Sequence, residues 1–221
     1  VAEGVIRNLG VSRSGPVIVY GSRGVRSPCG TFQNDGAGQA LVAYTLARYG
    51  VEHVCLLNGG LEAWADEGRP LARDFGFTVP SSFTVDLQQD FLEYPEFRTV
   101  KGRDDVVVID TWPAAVYEGE GAGVRAGHIP GAVNIPWQSL MAPGNPMLLL
   151  PVDEIRTLLS DHCVTPDRTV LCSCGTGRTA TSLFLILRYC LGYLHVKMYE
   201  GSFSGWTRDP DNPTVIGQHP W

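Results

Sequence analysis

No apolar run in this sequence approaches the roughly 18 residues that a membrane-spanning helix needs. A membrane is therefore not an expected partner. Basic clusters are missing too. The 17 Lys and Arg residues are scattered against 23 acidic ones, for a net charge of −6, which leaves nucleic acid no positive face to bind. The cysteines at 29, 55, 163, 172, 174 and 190 show no zinc-type spacing, and Cys-x-Cys is not Cys-x-x-Cys, so neither a metal nor another cofactor is expected. The chain opens on Val1 instead of Met and carries no signal or transit signature. Most of its cysteines sit in apolar runs, as reduced thiols do, which points to an intracellular compartment, cytoplasm or mitochondrion. What remains is ordinary globular material, 44% hydrophobic and 18% charged. Its 221 residues are enough for one large domain or two small ones.

The segment richest in chemistry is Cys172-Ser-Cys-Gly-Thr-Gly-Arg-Thr-Ala180. A strand-like run, Thr169-Val-Leu171, leads in, and an apolar helical stretch over 179–190 leads out. A strand, glycine loop and helix in that order wrap backbone N–H groups around the first side chain of the loop. Such a setting favours a thiolate over a thiol. Gly175 and Gly177 let the loop curl without side-chain clash. Cys174, where the strand ends, is the candidate nucleophile, with the Gly175, Thr176, Gly177, Arg178 and Thr179 amides as anion donors. Cys172 sits two residues back, about 6.6 Å along a strand, and is read as packing. That spacing lies near the upper edge of disulfide reach, so a Cys172–Cys174 bridge is not expected at rest.

An internal repeat fixes the architecture. Val51-Glu-His-Val-Cys-Leu-Leu-Asn-Gly-Gly-Leu-Glu-Ala-Trp64 aligns without gaps on Tyr193-Leu-His-Val-Lys-Met-Tyr-Glu-Gly-Ser-Phe-Ser-Gly-Trp206. Gly50 and Gly192, just upstream, each follow an apolar helical stretch and read as helix-ending glycines. Strands are expected at Pro16–Tyr20, Val54–Leu57, Val106–Ile109, Thr169–Leu171 and Val196–Tyr199, and helices at Gly36–Tyr49, Val152–Leu159 and 179–190. Short apolar strands alternating with helices mean an α/β fold, each domain a parallel sheet flanked by helices. The linker is placed at roughly 74–85, and the domains at 1–78 and 79–221. The second half has a strand ending in Asp110 and a loop, Gly127-His-Ile-Pro-Gly-Ala-Val-Asn-Ile-Pro136, before its helix. The first half begins where such a loop would already have ended, so its domain is expected to be N-terminally incomplete.

Gly127-His-Ile-Pro-Gly-Ala132, the Cys174 loop and Tyr199-Glu-Gly-Ser-Phe-Ser-Gly-Trp206 together resemble a tandem-domain rhodanese, a thiosulfate or 3-mercaptopyruvate sulfurtransferase. Leu57-Asn-Gly-Gly-Leu-Glu-Ala-Trp64 is similar to the first-domain motif of the same family. The resemblance implies that the first domain is inactive, and Gly21-Ser-Arg-Gly24 indeed carries no thiol where the second carries Cys174. Cys29 is then structural. It further implies that Cys174 takes a sulfane sulfur from a small-molecule donor as a persulfide and yields it to a thiol, to thioredoxin or to cyanide. Arg178 would add a cation beside the donor. Arg125 and Asp110 are candidate substrate contacts, Asp110 also as a loop-orienting group. His128 reads as a loop brace, and Trp137, Phe203 and Trp206 as core and pocket wall.

Two features pull elsewhere. Read from Cys172, the loop also resembles the Cys-x5-Arg-Ser/Thr signature of tyrosine phosphatases, with Arg178 clamping phosphate. A non-catalytic rhodanese-like docking module is a third reading, opposed by the presence of Cys174. Related enzymes often read Asp-x-Arg after the strand, with another Arg shortly after. Here the stretch is Asp110-Thr-Trp112-Pro-Ala-Ala-Val116. Losing arginines that hold a donor carboxylate shifts the expected preference toward thiosulfate.

Overall fold

The computed structural model describes residues 1–22, 26–27, 30–31, 36–74, 76–121 and 125–221. Cys29 and Arg23-Gly24 fall outside them. The chain divides into two units, Val1–Gln89 with Gly144–Leu148, and Asp90–Pro143 with Leu149–Trp221.

In the first unit, helix α1 (Ala2–Asn8) precedes β1 (Val17–Val19). A short antiparallel pair follows, β2 (Arg26–Ser27) and β3 (Gly30–Thr31). Then come α2 (Ala37–Arg48), β4 (Val54–Leu56) and α3 (Gly60–Asp66). β1 and β4 pair in parallel, Val17 opposite Val54. The expected helix end is there: Gly50 has φ +97°, and a Cβ on it would lie 2.7 Å from the Asp86 carbonyl oxygen. The core is Ile6, Leu46, Val51 and Phe83. Phe83 changes the reading of 74–85 as a linker. It is buried, the Ser81 N–H donates to the Arg7 carbonyl, and the Asp86 N–H to that of Tyr49. One aromatic anchor, with Val85 beside it, folds a stretch of mixed polarity back onto the unit.

The second unit opens with β5 (Phe91–Leu92), α4 (Tyr94–Val100), β6 (Val106–Asp110), α5 (Ala114–Tyr117) and β7 (Ala132–Asn134). A 3₁₀ turn at Trp137–Leu140 and α6 (Val152–Asp161) lead to β8 (Thr169–Ser173). Helix α7 (Ala180–Leu185) runs on into a π turn, Ile186–Cys190, before β9 (Val196–Tyr199) and α8 (Ser202–Trp206). The five strands order as β5-β9-β8-β6-β7, all parallel. β6 is buried along its whole length, because alternate residues meet cover on both faces. Val106, Val108 and Leu171 pack with Phe97, Tyr199, Phe203 and Trp206.

β6 ends at Asp110, as expected, whereas β8 runs further than expected and reaches Ser173, opposite Asp110 in the ladder. The Thr111 N–H, donating to the Ser173 carbonyl, carries the pairing past the apolar run. β5 and β7 were not expected, since two or three residues hold no period to read. The expected continuous helix 179–190 switches to i→i−5 bonding near its end, the Leu191 N–H donating to Ile186. Among the described residues, no helix is long and apolar enough to cross a membrane.

Candidate active site

The central strand β8 delivers Cys174 to its carboxyl end, the side where parallel sheets bind ligands. Cys174 is 2% exposed, and the Gly177 N–H donates to its Sγ at 3.1 Å. Gly177 turns that amide inward with φ +87°, and a Cβ there would press on the Glu200 carbonyl oxygen at 3.1 Å. Gly175 and Thr179 are buried, while Thr176 and Arg178 are exposed at the rim. An amide aimed at sulfur stabilises negative charge there.

The loop is tied on three sides. The Thr111 and Thr179 hydroxyls meet at 2.9 Å. On the β9 side, the Phe203 and Ser204 N–H groups donate to the carbonyls of Cys174 and Gly175, each at 2.9 Å. The Cys174 N–H donates to Ser202 Oγ at 3.2 Å, and the Ser202 hydroxyl donates to the Tyr199 carbonyl at 3.0 Å. Ser202 does this from φ +49°, a left-handed conformation uncommon for a side-chain residue. Its partner in the repeat, Gly60, has φ +67°, so the turn itself demands the left-handed state. The second copy places a hydroxyl where the first has only glycine. The repeat alignment held that signal.

Trp112 covers the loop from the β6 side. A Cβ on Gly175 would lie 2.7 Å from the indole Cε2 and Nε1. The indole also packs against Phe203 at 5.2 Å. Cys172, by contrast, is fully buried inside β8, level with Ile109 and Met198. Burial, then the neighbouring Cys174, push its thiol far above the ordinary cysteine range. Both cysteines are free thiols.

The other candidate residues lie as follows. Asp110 is fully buried and its Oδ1 accepts the Trp112 main-chain N–H at 2.9 Å, so it fixes the backbone from which the indole projects. Arg125 donates through Nη2 to the Asn212 carbonyl. The His128 ring stacks on Tyr117 at 3.5 Å, and its Nδ1 faces the Tyr117 carbonyl at 2.8 Å, so Nδ1 carries the proton. His128 is fully buried, and burial lowers its pKa. Trp137 and Trp206 are buried, the latter donating through Nε1 to the Pro213 carbonyl. The sequence reading missed Ser202 and Thr111 as braces.

Asp110 gives a pH test. Burial raises its pKa from 3.8 to about 7, against the opposing Trp112 N–H. A carboxyl whose folded pKa is raised costs nothing below the unfolded pKa, where both states are protonated. Above it the unfolded chain ionises first, so stability falls as pH rises from about 4 to about 7, by at most ~4 kcal/mol. Asp110→Asn keeps an acceptor for Trp112 and removes the titration. The difference in Tm between variant and wild type should grow from near zero at acid pH to clearly positive above neutrality. A difference that stays flat across this range would show that Asp110 is ionised in the folded protein throughout.

Comparison with known proteins identifies the family. The rhodanese-like domain family matches residues 94–209. A Synechococcus elongatus protein, named provisionally as a thiosulfate sulfurtransferase, is 33% identical over 207 residues, covering 90% of this chain and 61% of that protein. The 3-mercaptopyruvate sulfurtransferase of Escherichia coli K12 is 30% identical over 213 residues, covering 94% and 70%. A solved anaerobic ergothioneine biosynthesis enzyme from Chlorobium limicola, in complex with trimethyl histidine, superimposes with a TM-score of 0.84 at 23% identity, covering 96% of this chain and 53% of that one. The chain thus spans little more than half the length of that enzyme and under two thirds of the Synechococcus relative. On its fold, its motifs and these matches, the chain belongs to the rhodanese family of sulfurtransferases.

Proposed function

We propose that this chain moves a sulfane sulfur from thiosulfate or 3-mercaptopyruvate to a thiophilic acceptor through a persulfide on Cys174. The observation that carries the reading is the Gly177 N–H held on Cys174 Sγ at 3.1 Å. In the first step the Cys174 thiolate attacks the outer sulfur of thiosulfate. A new S–S bond forms, the donor S–S bond breaks, and sulfite leaves with the electron pair. The extra sulfur on Cys174 carries the negative charge that the loop amides face, with Arg178 at the rim as a cation. In the second step a thiolate or cyanide attacks the outer sulfur, and Cys174 departs as the thiolate. No metal or cofactor is needed. A thiol, thioredoxin or cyanide could accept the sulfur. The position of Cys172 inside β8, with its thiol held protonated by burial, weighs against the phosphatase reading.

Intact-protein mass spectrometry after thiosulfate tests this. One sulfur atom should be gained, removed by cyanide, and located on Cys174 by peptide mapping. No gain with either donor, or a gain on another cysteine, overturns the proposal.

Thiosulfate is expected to be used at least as well as 3-mercaptopyruvate. Trp112 and Val116 stand where a carboxylate would call for arginine, and one lost charge-assisted bond costs about 1.5–3 kcal/mol. That is roughly tenfold or more in kcat/KM. Steady-state kinetics with both donors would decide, and a clear preference for mercaptopyruvate would point to Arg125 as its ligand.

A further inference from the structure

A cavity of about 350 Å³ lies at the carboxyl ends of β5 and β9, lined by Glu93, Tyr94, Tyr199, Gly201, Gly205, Arg208 and Asp209. That volume is within the usual range for a small-molecule site. All of these residues belong to the second unit. Helix α8 and its flanks carry both this cavity and the Cys174 loop. Ser202, Phe203 and Ser204 bond to the loop, whereas Gly201, Gly205 and Arg208 line the cavity.

The cavity contains an unexplained group. Tyr199 is fully buried, its ring stacked on Phe97 at 3.9 Å, yet among the described residues its Oη has no hydrogen-bond partner. A buried hydroxyl left unpaired is costly, so the position invites a ligand. Burial raises its pKa to about 12, and the hydroxyl stays a donor at ordinary pH. Two glycines make room for it: a Cβ on Gly201 would lie 3.0 Å from the ring, and one on Gly205 2.9 Å from Oη. The first repeat has Leu57 and Ala63 at the positions of Tyr199 and Gly205, with neither the hydroxyl nor the second glycine.

The charges around Oη define what fits. Arg208 and Glu93 both act electrostatically on Tyr199, with opposite signs. Asp209 also lines the cavity, but its charge is met by Arg98 at 3.6 Å, and its Oδ2 accepts from Tyr94 Oη at 3.0 Å. A lone anion would be drawn by Arg208 and repelled by Glu93, and a lone cation the reverse. We propose that this cavity binds a small zwitterion of the α-amino-acid class, its carboxylate on Arg208 and Tyr199 Oη and its ammonium on Glu93.

Titration calorimetry of the whole chain with L-serine tests the assignment. L-serine has the shape of L-cysteine but no thiol, so the measured heat is independent of any sulfur chemistry at Cys174. Saturable binding to one site is expected. Arg208→Ala and Glu93→Gln should each weaken it tenfold or more. Tyr199→Phe keeps the stacked ring and should weaken it about fivefold to tenfold, as one hydrogen bond would. No binding of L-serine to the wild-type chain would overturn the site. An affinity that Arg208→Ala and Tyr199→Phe leave unchanged would do so too. Acetate or methylamine binding as tightly as L-serine would overturn the zwitterion. Arg208 and Glu93 are exposed, so their variants fold whatever Tyr199→Phe does.

Discussion

Cys174→Ser is expected to abolish sulfur transfer, while Cys172→Ser keeps most of it. A serine hydroxyl at 174 forms no persulfide, so the loss should reach background, on the order of 10³-fold or more in kcat. The two thiols are two residues apart, yet their surroundings differ in kind. Cys174 receives the Gly177 N–H and follows the last residue of β8. Cys172 lies one step inside, level with Ile109 on one neighbouring strand and Met198 on the other. Among the described residues no loop amide donates to its sulfur, and burial holds it as a thiol. Serine there places a hydroxyl in an apolar slot, at about 1–3 kcal/mol of stability, so the variant should melt earlier but still turn over. Thiosulfate:cyanide assays on both variants, with Tm measured alongside, separate chemistry from folding. A dead Cys172→Ser protein that folds, joined to aryl-phosphate cleavage by the wild type, would move the nucleophile to Cys172 and the enzyme to another class.

The sequence was most legible where glycine, cysteine and period coincide. The Cys174 loop lies between an apolar strand and an apolar helix, so its place at a strand end could be read directly. The repeat predicted helix-ending glycines, and Gly50 and Gly192 both have positive φ. Contacts made by short or polar segments were not legible. β5 is two residues of an edge strand and leaves no alternation to detect. The stretch holding Phe83 looked like a linker because its binding to the first unit rests on one buried ring and on scattered main-chain and side-chain bonds, such as Arg7 Nε to the Phe83 carbonyl and the Val85 N–H to Glu3, that leave no period to read. Ser202 was hidden for another reason. Its role depends on a backbone angle, and only comparison with Gly60 in the other copy would have raised the question. Trp112 was noticed as a departure from the Asp-x-Arg pattern, but what the indole does instead is visible only in three dimensions.

That indole underlies the second large effect. Gly175→Ala is expected to lower kcat/KM for sulfur transfer about a hundredfold. The backbone is not the reason, since Gly175 does not have a positive φ. The reason is space: an added Cβ would lie 2.7 Å from Cε2 and Nε1 of Trp112, well inside contact distance. Trp112 cannot easily yield. Its N–H is held by Asp110 Oδ1 and its carbonyl accepts from Asn134 Nδ2, both at 2.9 Å, while its ring rests on Phe203. Phe203 in turn donates its N–H to the Cys174 carbonyl. The added methyl therefore pushes either the indole off Phe203 or the loop away from it. Both routes shift Cys174 against the Gly177 N–H, and displacements of about 1 Å at a reacting group cost on the order of 10²-fold. Overpacking should also lower stability by about 1–3 kcal/mol. The decisive measurement is a double-mutant cycle with Trp112→Leu, which shortens the side chain that the methyl strikes. If the clash is the cause, Gly175→Ala should cost much less in the Trp112→Leu background, with a coupling of at least about 1 kcal/mol in both stability and kcat/KM. Additive losses would mean that Gly175 serves the loop by some route other than the indole, and Trp112 would no longer be a wall of the site.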